Sequence, residues 1–285
     1  MRRIENIIER IEHLRPFSQV GSRIVEISNN PDCSFDDLVE VIKYDQGITA
    51  NILRICNSSY FGFKKRITSI KQAVSYLGID EVVRLAVMEN SADNFNKEQK
   101  GYDLKEGELW RYSVSSAIIA QELAEKKHIE NLSLVFTSAL LKDIGKLILN
   151  TYVKESFEDI MELVQDQGFT FREAEQKVLG IDHAELGARL AERWNFSRAT
   201  VNIIRYHHDP EKAPRKDPFI PIIYLADSLC MMTGIGVGSD GLAYRYYQDV
   251  VDRLGLSDTE LQKTIATFLD KLRGVEELIT VSGGN

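Results

Sequence analysis

At 285 residues, 44% apolar and 27% charged, the chain has ordinary globular composition and enough length for one large or two modest domains. Its 35 basic against 43 acidic residues give a net charge of −8 and a pI near 5.3, which disfavours nucleic acid as a partner because a phosphate backbone calls for a basic face. No run of about 18 apolar residues occurs, so no membrane span is expected. Met1, Arg2, Arg3 and Ile4 lead straight into Glu5, Glu9 and Arg10 without the apolar core of a secretory signal, and Cys33, Cys56 and Cys230 are odd in number and far apart. Free thiols in a reducing, cytoplasmic setting follow from this.

Taken in order, Ile4, Ile7, Ile8, Ile11 and Leu14 recur at helical spacing and predict an amphipathic first helix ended by Pro16. A second helix is expected from Ser18 to Ser28, stopped by Asn29, Asn30 and Pro31. Ser34 with Asp37 three residues on starts a third. The pattern continues from Asp45 to Asn57, breaks at Ser58 to Phe63, and resumes with Ile70, Ala73, Val74 and Leu77 before Gly78, a residue suited to a helix C-terminus. Residues 91–103 are polar and weakly periodic, and read as a connection between two helical lobes. Beyond them Leu109, Tyr112, Ser116, Ile119 and Leu123 define a long helix, and Leu132 to Asn150 another. Thr170 with Glu173 and Ser257 with Glu260 have capping-box spacing. No period-2 run of β-branched residues appears, so the chain reads as all-α.

Two stretches invite a functional reading and lose it at this level. The glycines of residues 232–241 follow no strand and lack the Lys-Ser/Thr of a phosphate loop, so a flexible helix connection is the better reading. Phe63, Lys64, Lys65 and Arg66 beside Tyr60 and Phe61 form a short basic run, which in an acidic protein is usually a solvated turn.

The helix at Leu140-Leu141-Lys142-Asp143-Ile144-Gly145-Lys146-Leu147 carries charge on an apolar face, which needs partners if buried. The segment resembles the core motif of the HD superfamily of metal-dependent phosphohydrolases, in which a His-Asp pair precedes Ile-Gly-Lys. Asp45-Gln-Gly-Ile-Thr-Ala, Leu53-Arg-Ile-Cys-Asn-Ser-Ser-Tyr-Phe-Gly and Ser69-Ile-Lys-Gln-Ala-Val-Ser-Tyr-Leu-Gly are similar to consecutive blocks of the HDOD family, a regulatory relative of those hydrolases. The resemblance covers about Leu14 to His208, with departures at Asp45-Gln46, where the family commonly has Asp-Pro, and at Arg15-Pro16-Phe17, where it commonly has Leu-Pro. It implies a multi-helix HD-superfamily-like bundle with an additional N-terminal helical lobe. The division expected is an N-terminal lobe over 1–92, a linker over 93–104, an HD-like lobe over 105–275 and a flexible tail over 276–285.

The resemblance also implies a ligand set, which this chain departs from. Tyr112 stands at the first expected histidine and Lys142 at the second, while Asp143, His183, His207, His208 and Asp227 match. A phenol is a poor ligand beside imidazole and a lysine is ordinarily a cation, so the site reads as degenerate, with Lys142 paired to Asp143 or Asp227 where metal would go. Simpler readings stand beside each match. Asp182 with Glu185 is a helix cap, and His183 is either a partly exposed first-turn residue or a relic ligand. Adjacent on a helix end, His207 and His208 project about 100° apart and are not expected to serve one ion together. Asp227, on an apolar helix, is either a relic acid or the partner of Lys142. The function implied is a non-catalytic bacterial signalling module that binds a partner protein or small ligand, with no cofactor and no catalytic residue. The alternative is a metal-dependent phosphohydrolase with a rearranged site and a divalent transition metal. A Gly-Tyr-Pro motif, the mark of the cyclic di-GMP phosphodiesterases, is not present after His207-His208.

Overall fold

Capping chemistry sets where many of the helices begin. In the computed structural model, which describes residues 7, 19–28, 34–42, 45–58, 60–214, 217–243 and 248–283, Ser34 Oγ accepts from the Asp37 amide and Asp45 from the Ile48 amide. They open α2 (Phe35–Ile42) and α3 (Gln46–Cys56), which follow α1 (Gln19–Ser28). Ser69 caps α4 (Ile70–Leu77), and Gly78, at φ 86°, ends it and leads directly into α5 (Ile79–Phe95). Leu38, Ile42, Ile52, Ala73, Val82 and Ala86 are among the buried residues of these helices, and they belong to one core that continues into the rest of the chain. Residues 4–14, expected as a first helix, fall outside the described residues except Ile7, which is buried; Cys33 also falls outside them. Cys56 and Cys230 are buried free thiols.

The rest of the chain is built around α6 (Glu108–Lys126), which packs against α7 (Leu132–Leu141), α13 (Phe219–Met232) and α15 (Asp258–Gly283). Between α7 and α13 come α8 (Lys146–Glu155), α9 (Phe157–Gln167), α10 (Phe171–Leu179), α11 (His183–Arg193) and α12 (Arg198–Tyr206), and α14 (Gln248–Leu254) precedes the last helix. Thr170 and Glu173 form a complete capping box at α10, and Ser257 and Glu260 exchange the same pair of bonds at α15. The fold is all-helical, with no strand among the described residues beyond an isolated bridge between Gln99 and Leu104. No helix among them is long and apolar enough to cross a membrane.

Four expectations change in the folded chain. Residues 132–150 are not one helix: α7 ends at Leu141, residues 142–145 form turns closed by bonds such as Ile144 N–H to the Leu141 carbonyl, and α8 starts at Lys146. Residues 91–103, expected as a connection, are so only in part: α5 extends through Phe95, and a 3₁₀ turn at Lys100–Tyr102 docks on α8, where the Gly101 amide donates to Asn150 Oδ1. The glycine stretch 232–241 is packed rather than loose, since a Cβ on Gly238 would lie 2.1 Å from the Tyr102 carbonyl oxygen. The last helix continues through Gly283, into the stretch the sequence assigns to a tail.

Candidate functional site: a buried charge cluster

Lys142, Asp143 and Lys146 would fall within about 100° of one another on a helix, and across the turn that follows Leu141 all three face inward at 0–2% exposure. Gly145 makes this packing feasible, because a Cβ there would fall 1.9 Å from the His183 carbonyl oxygen and 2.8 Å from the Gly187 amide nitrogen of α11. The close approach brings His183 of α11 next to Asp143.

The Lys142 ammonium bonds Asp143 Oδ2 and sits 2.9 Å from Asp227 Oδ1. Tyr112 of α6 donates its hydroxyl to the same Asp227 oxygen at 2.6 Å, and its ring lies 4.4 Å beneath the ammonium. Lys146 contacts Asp143 Oδ1 at 2.8 Å and Asp240 Oδ2 at 2.6 Å, so the packed glycine stretch supplies a third carboxylate. Burial alone would push the Lys142 ammonium down, yet Asp143 and Asp227 outweigh it and hold it above the ordinary lysine value. Burial likewise disfavours the Asp143 carboxylate, and Lys142 with Lys146 overrides that and holds it well below the usual range. The cluster is ionised because each charge has an opposite one in contact.

Beside it lies a row of imidazoles. His183 is buried, not part-exposed, with Nδ1 2.7 Å from Glu175 Oε2 and Nε2 2.9 Å from His208 Nε2. Glu175 also accepts the Tyr102 hydroxyl at 2.6 Å. Burial opposes a charge on His183, but Glu175 prevails and raises it; His183 Nδ1–H donates to Glu175, and a single proton is shared between His183 Nε2 and His208 Nε2. His207 donates Nδ1–H to the Ile204 carbonyl at 2.7 Å, and its Nε2 is buried without a hydrogen-bond partner among the described residues. His207 and His208 do not diverge as helix neighbours would. Helix α12 stops at Tyr206, and in the turn that follows the two rings stand 4.0 Å apart, centroid to centroid, both beside His183.

Asp143, His183, His207 and His208 therefore each offer an atom within 4.8 Å of the others, a donor set of nitrogen and oxygen suited to a transition-metal ion. The pocket between Asp143 and Asp227 is a different matter. There the Lys142 ammonium takes the place of a cation, and the ligand set implied by the HD resemblance does not fit a metal at that point. Asp182 caps α11 through the Glu185 amide and pairs with Arg172, while Glu185 turns to Arg189 and Arg205, so that box is only half made. Tyr102, Glu175 and Asp240 escape a sequence reading altogether: one sits in a polar connection, one on an amphipathic helix, one in a glycine run.

The imidazoles set a pH dependence. Burial pushes His207 down to about 4, and burial with the two neighbouring imidazoles pushes His208 well below the ordinary value. Both are neutral in the fold, so their contribution is complete above about pH 6.5 and is lost as pH falls toward the folded value. His183, raised, contributes below about pH 6.5 and loses that as pH rises through its folded value. With two groups against one, and the depressed Asp143, Asp227 and Glu175 adding losses at lower pH, Tm should fall between about pH 7 and pH 4. Calorimetry across that range checks it; a Tm that climbs on acidification would mean the His183–Glu175 pair outweighs its neighbours.

Comparison with known proteins places the chain in a family. A sequence profile of the HDOD domain matches residues 14–210, more than half of the chain. The chain belongs to the HDOD domain family. An HDOD domain protein of unknown function from Geobacter sulfurreducens superposes with a TM-score of 0.76 at 27% identity, over 98% of this chain and 97% of that one. A Marinobacter aquaeolei VT8 protein provisionally assigned to signal transduction shares the HDOD fold, with a TM-score of 0.79 at 22% identity over 98% of this chain and 65% of its own. So does a Shewanella amazonensis SB2B protein provisionally assigned as a phosphohydrolase, with a TM-score of 0.72 at 22% identity over 97% of each chain. Among curated sequences, a Treponema pallidum (strain Nichols) protein is 26% identical over 227 residues, 78% of this HDOD chain, which spans 43% of that relative's length.

Proposed function

We propose that this HDOD chain is a non-catalytic regulatory module that works by binding a protein or small ligand. The observation that carries this reading is the Lys142 ammonium, seated between Asp143 and Asp227 with Tyr112 on the same carboxylate. A dication brought there would meet a fixed positive charge. At about 4 Å, two unit charges at an effective dielectric near 20 interact by roughly 4 kcal/mol, and a divalent ion feels about twice that before relaxation. Between Asp143 and Asp227 the charge is balanced without metal, which suits a scaffold better than a hydrolytic centre.

The imidazole row supports a second reading, a metal-dependent phosphohydrolase in which Asp143, His183, His207 and His208 hold a divalent transition metal that supplies Lewis acidity. Its difficulty is local: Lys146 sits on the Asp143 oxygen facing the imidazoles, and His183 Nε2 is already engaged by His208 Nε2. Hydrolysis and binding separate the readings. The wild type is expected to turn over no phosphomonoester or phosphodiester above background with Mn²⁺, Fe²⁺, Ni²⁺ or Mg²⁺. The double variant Tyr112→His with Lys142→His removes the cation and adds two imidazoles, so calorimetric titration with Mn²⁺ should show affinity raised by roughly 100-fold. Stoichiometric metal in the wild type, with hydrolysis abolished by Asp143→Ala, would establish the enzyme instead.

A further inference from the structure

Residues 46–79 are unlike the rest of this acidic chain. They contain Arg54, Lys64, Lys65, Arg66 and Lys71 and not one Asp or Glu, whereas the whole protein carries −8. The loop between α3 and α4 gathers four aromatic rings within this stretch. Tyr60 meets Phe61 edge-on at 4.9 Å, Phe61 stacks on Phe63 at 6.0 Å with planes 4° apart, and Phe63 meets Tyr76 of α4 at 5.7 Å. The outer rings stay open: Tyr60 is 41% exposed and Tyr76 59%. Lys64, Lys65, Arg66 and Lys71 are exposed too, and none forms an ion pair among the described residues.

A solvated turn does not need this. Large exposed rings at a surface carry a hydration cost that a partner relieves, and aromatic residues with cations around them are the composition of a recognition surface. The loop is also fixed from below. Asn57 accepts the Ile67 amide at 2.8 Å and donates to the Ile67 carbonyl at 2.8 Å, and Ile67 and Ile70 are buried, so the rings are held on a built platform. A pre-set platform loses little freedom on binding.

We propose that the strip Tyr60, Phe61, Phe63 and Tyr76, with Lys64, Lys65, Arg66 and Lys71 around it, docks a short acidic protein segment whose apolar side chains seat on the rings. This names the partner class for the regulatory reading above and rests on it. Charge decides the class. A short acidic segment can stay on the positive strip, short of Asp80 and Glu81 that follow it, whereas a long polyanion runs off onto an acidic remainder that repels it. Phe61 and Phe63 spend facing sides on each other, which leaves edges and crevices for aliphatic and aromatic anchors rather than a row of open faces for bases.

The test uses the full chain and a short synthetic peptide in which leucine and phenylalanine alternate with aspartate and glutamate, its binding followed by fluorescence anisotropy. Binding is expected, weakened at least about tenfold by Tyr76→Ala and again by Lys64→Glu with Lys65→Glu, at unchanged Tm because all three positions are exposed. A control peptide with serine in place of leucine and phenylalanine should bind at least about tenfold more weakly. Equal binding of that control, tighter binding of oligothymidylate or of anionic vesicles, or self-association of the chain through the same residues in sedimentation would each overturn the proposal, as would no binding at all. Hydrolysis measured on the same samples reports on the regulatory reading separately: turnover without peptide binding removes both, and peptide binding with turnover keeps the surface while replacing the reading it rests on.

Discussion

Replacing Lys142 with methionine is expected to cost about 3–5 kcal/mol of stability at neutral pH, the range seen when one partner of a buried ion pair is removed. Methionine fills nearly the same volume, so the loss is electrostatic rather than a cavity. Asp227 then loses the ammonium and keeps the Tyr112 hydroxyl, and Asp143 loses one of its two lysines and keeps Lys146. The sign with pH separates this from a packing effect. Both carboxylates have folded values depressed below the ordinary range, so what Lys142 contributes is present above about pH 4 and is lost as pH falls through the folded values. The deficit of the variant should therefore shrink as acid protonates the carboxylates. Denaturant unfolding of wild type and variant at several pH values measures it, and a deficit that stays constant into acid would assign the effect to packing instead.

The second large effect is expected at Gly145. Its φ of −64° is ordinary helix, so the backbone accepts alanine; the obstacle is the His183 carbonyl, 1.9 Å from where the new Cβ would stand. A backbone oxygen at a helix start cannot swing aside like a side-chain tip. Helix α11 must retreat from α8, and His183 with it, at a cost of about 3 kcal/mol or somewhat more. Gly145→Ala should accordingly lower Tm and also free His183 from its contacts with Glu175 and His208. Imidazole NMR titration of a folded sample would register that as a shift of the His183 value back toward about 6.5. If Tm and the titration both match the wild type, the two helices are not held as closely as the geometry requires.

The sequence by itself determined the helical class, because apolar spacing, caps at Ser34, Thr170 and Ser257, and the glycine at 78 are local signals that packing had no reason to override. It also pointed to Lys142, Asp143 and Asp227 together, since charge on an apolar helix has to find partners. What it could not give was the break at residues 142–145. Leu132 to Asn150 is periodic enough for one helix, and the turn falls where α11 comes close onto Gly145, a contact no local pattern records. The remaining members of the cluster have the same origin. His207 and His208 point to one place because α12 ends before them, and Tyr102, Glu175 and Asp240 come from segments whose local pattern says connection, surface helix and loop. Local periodicity fixes which way a side chain faces relative to its own helix. Which helices meet, and so which buried charges share a pocket, is a property of long-range packing that no window of the sequence contains.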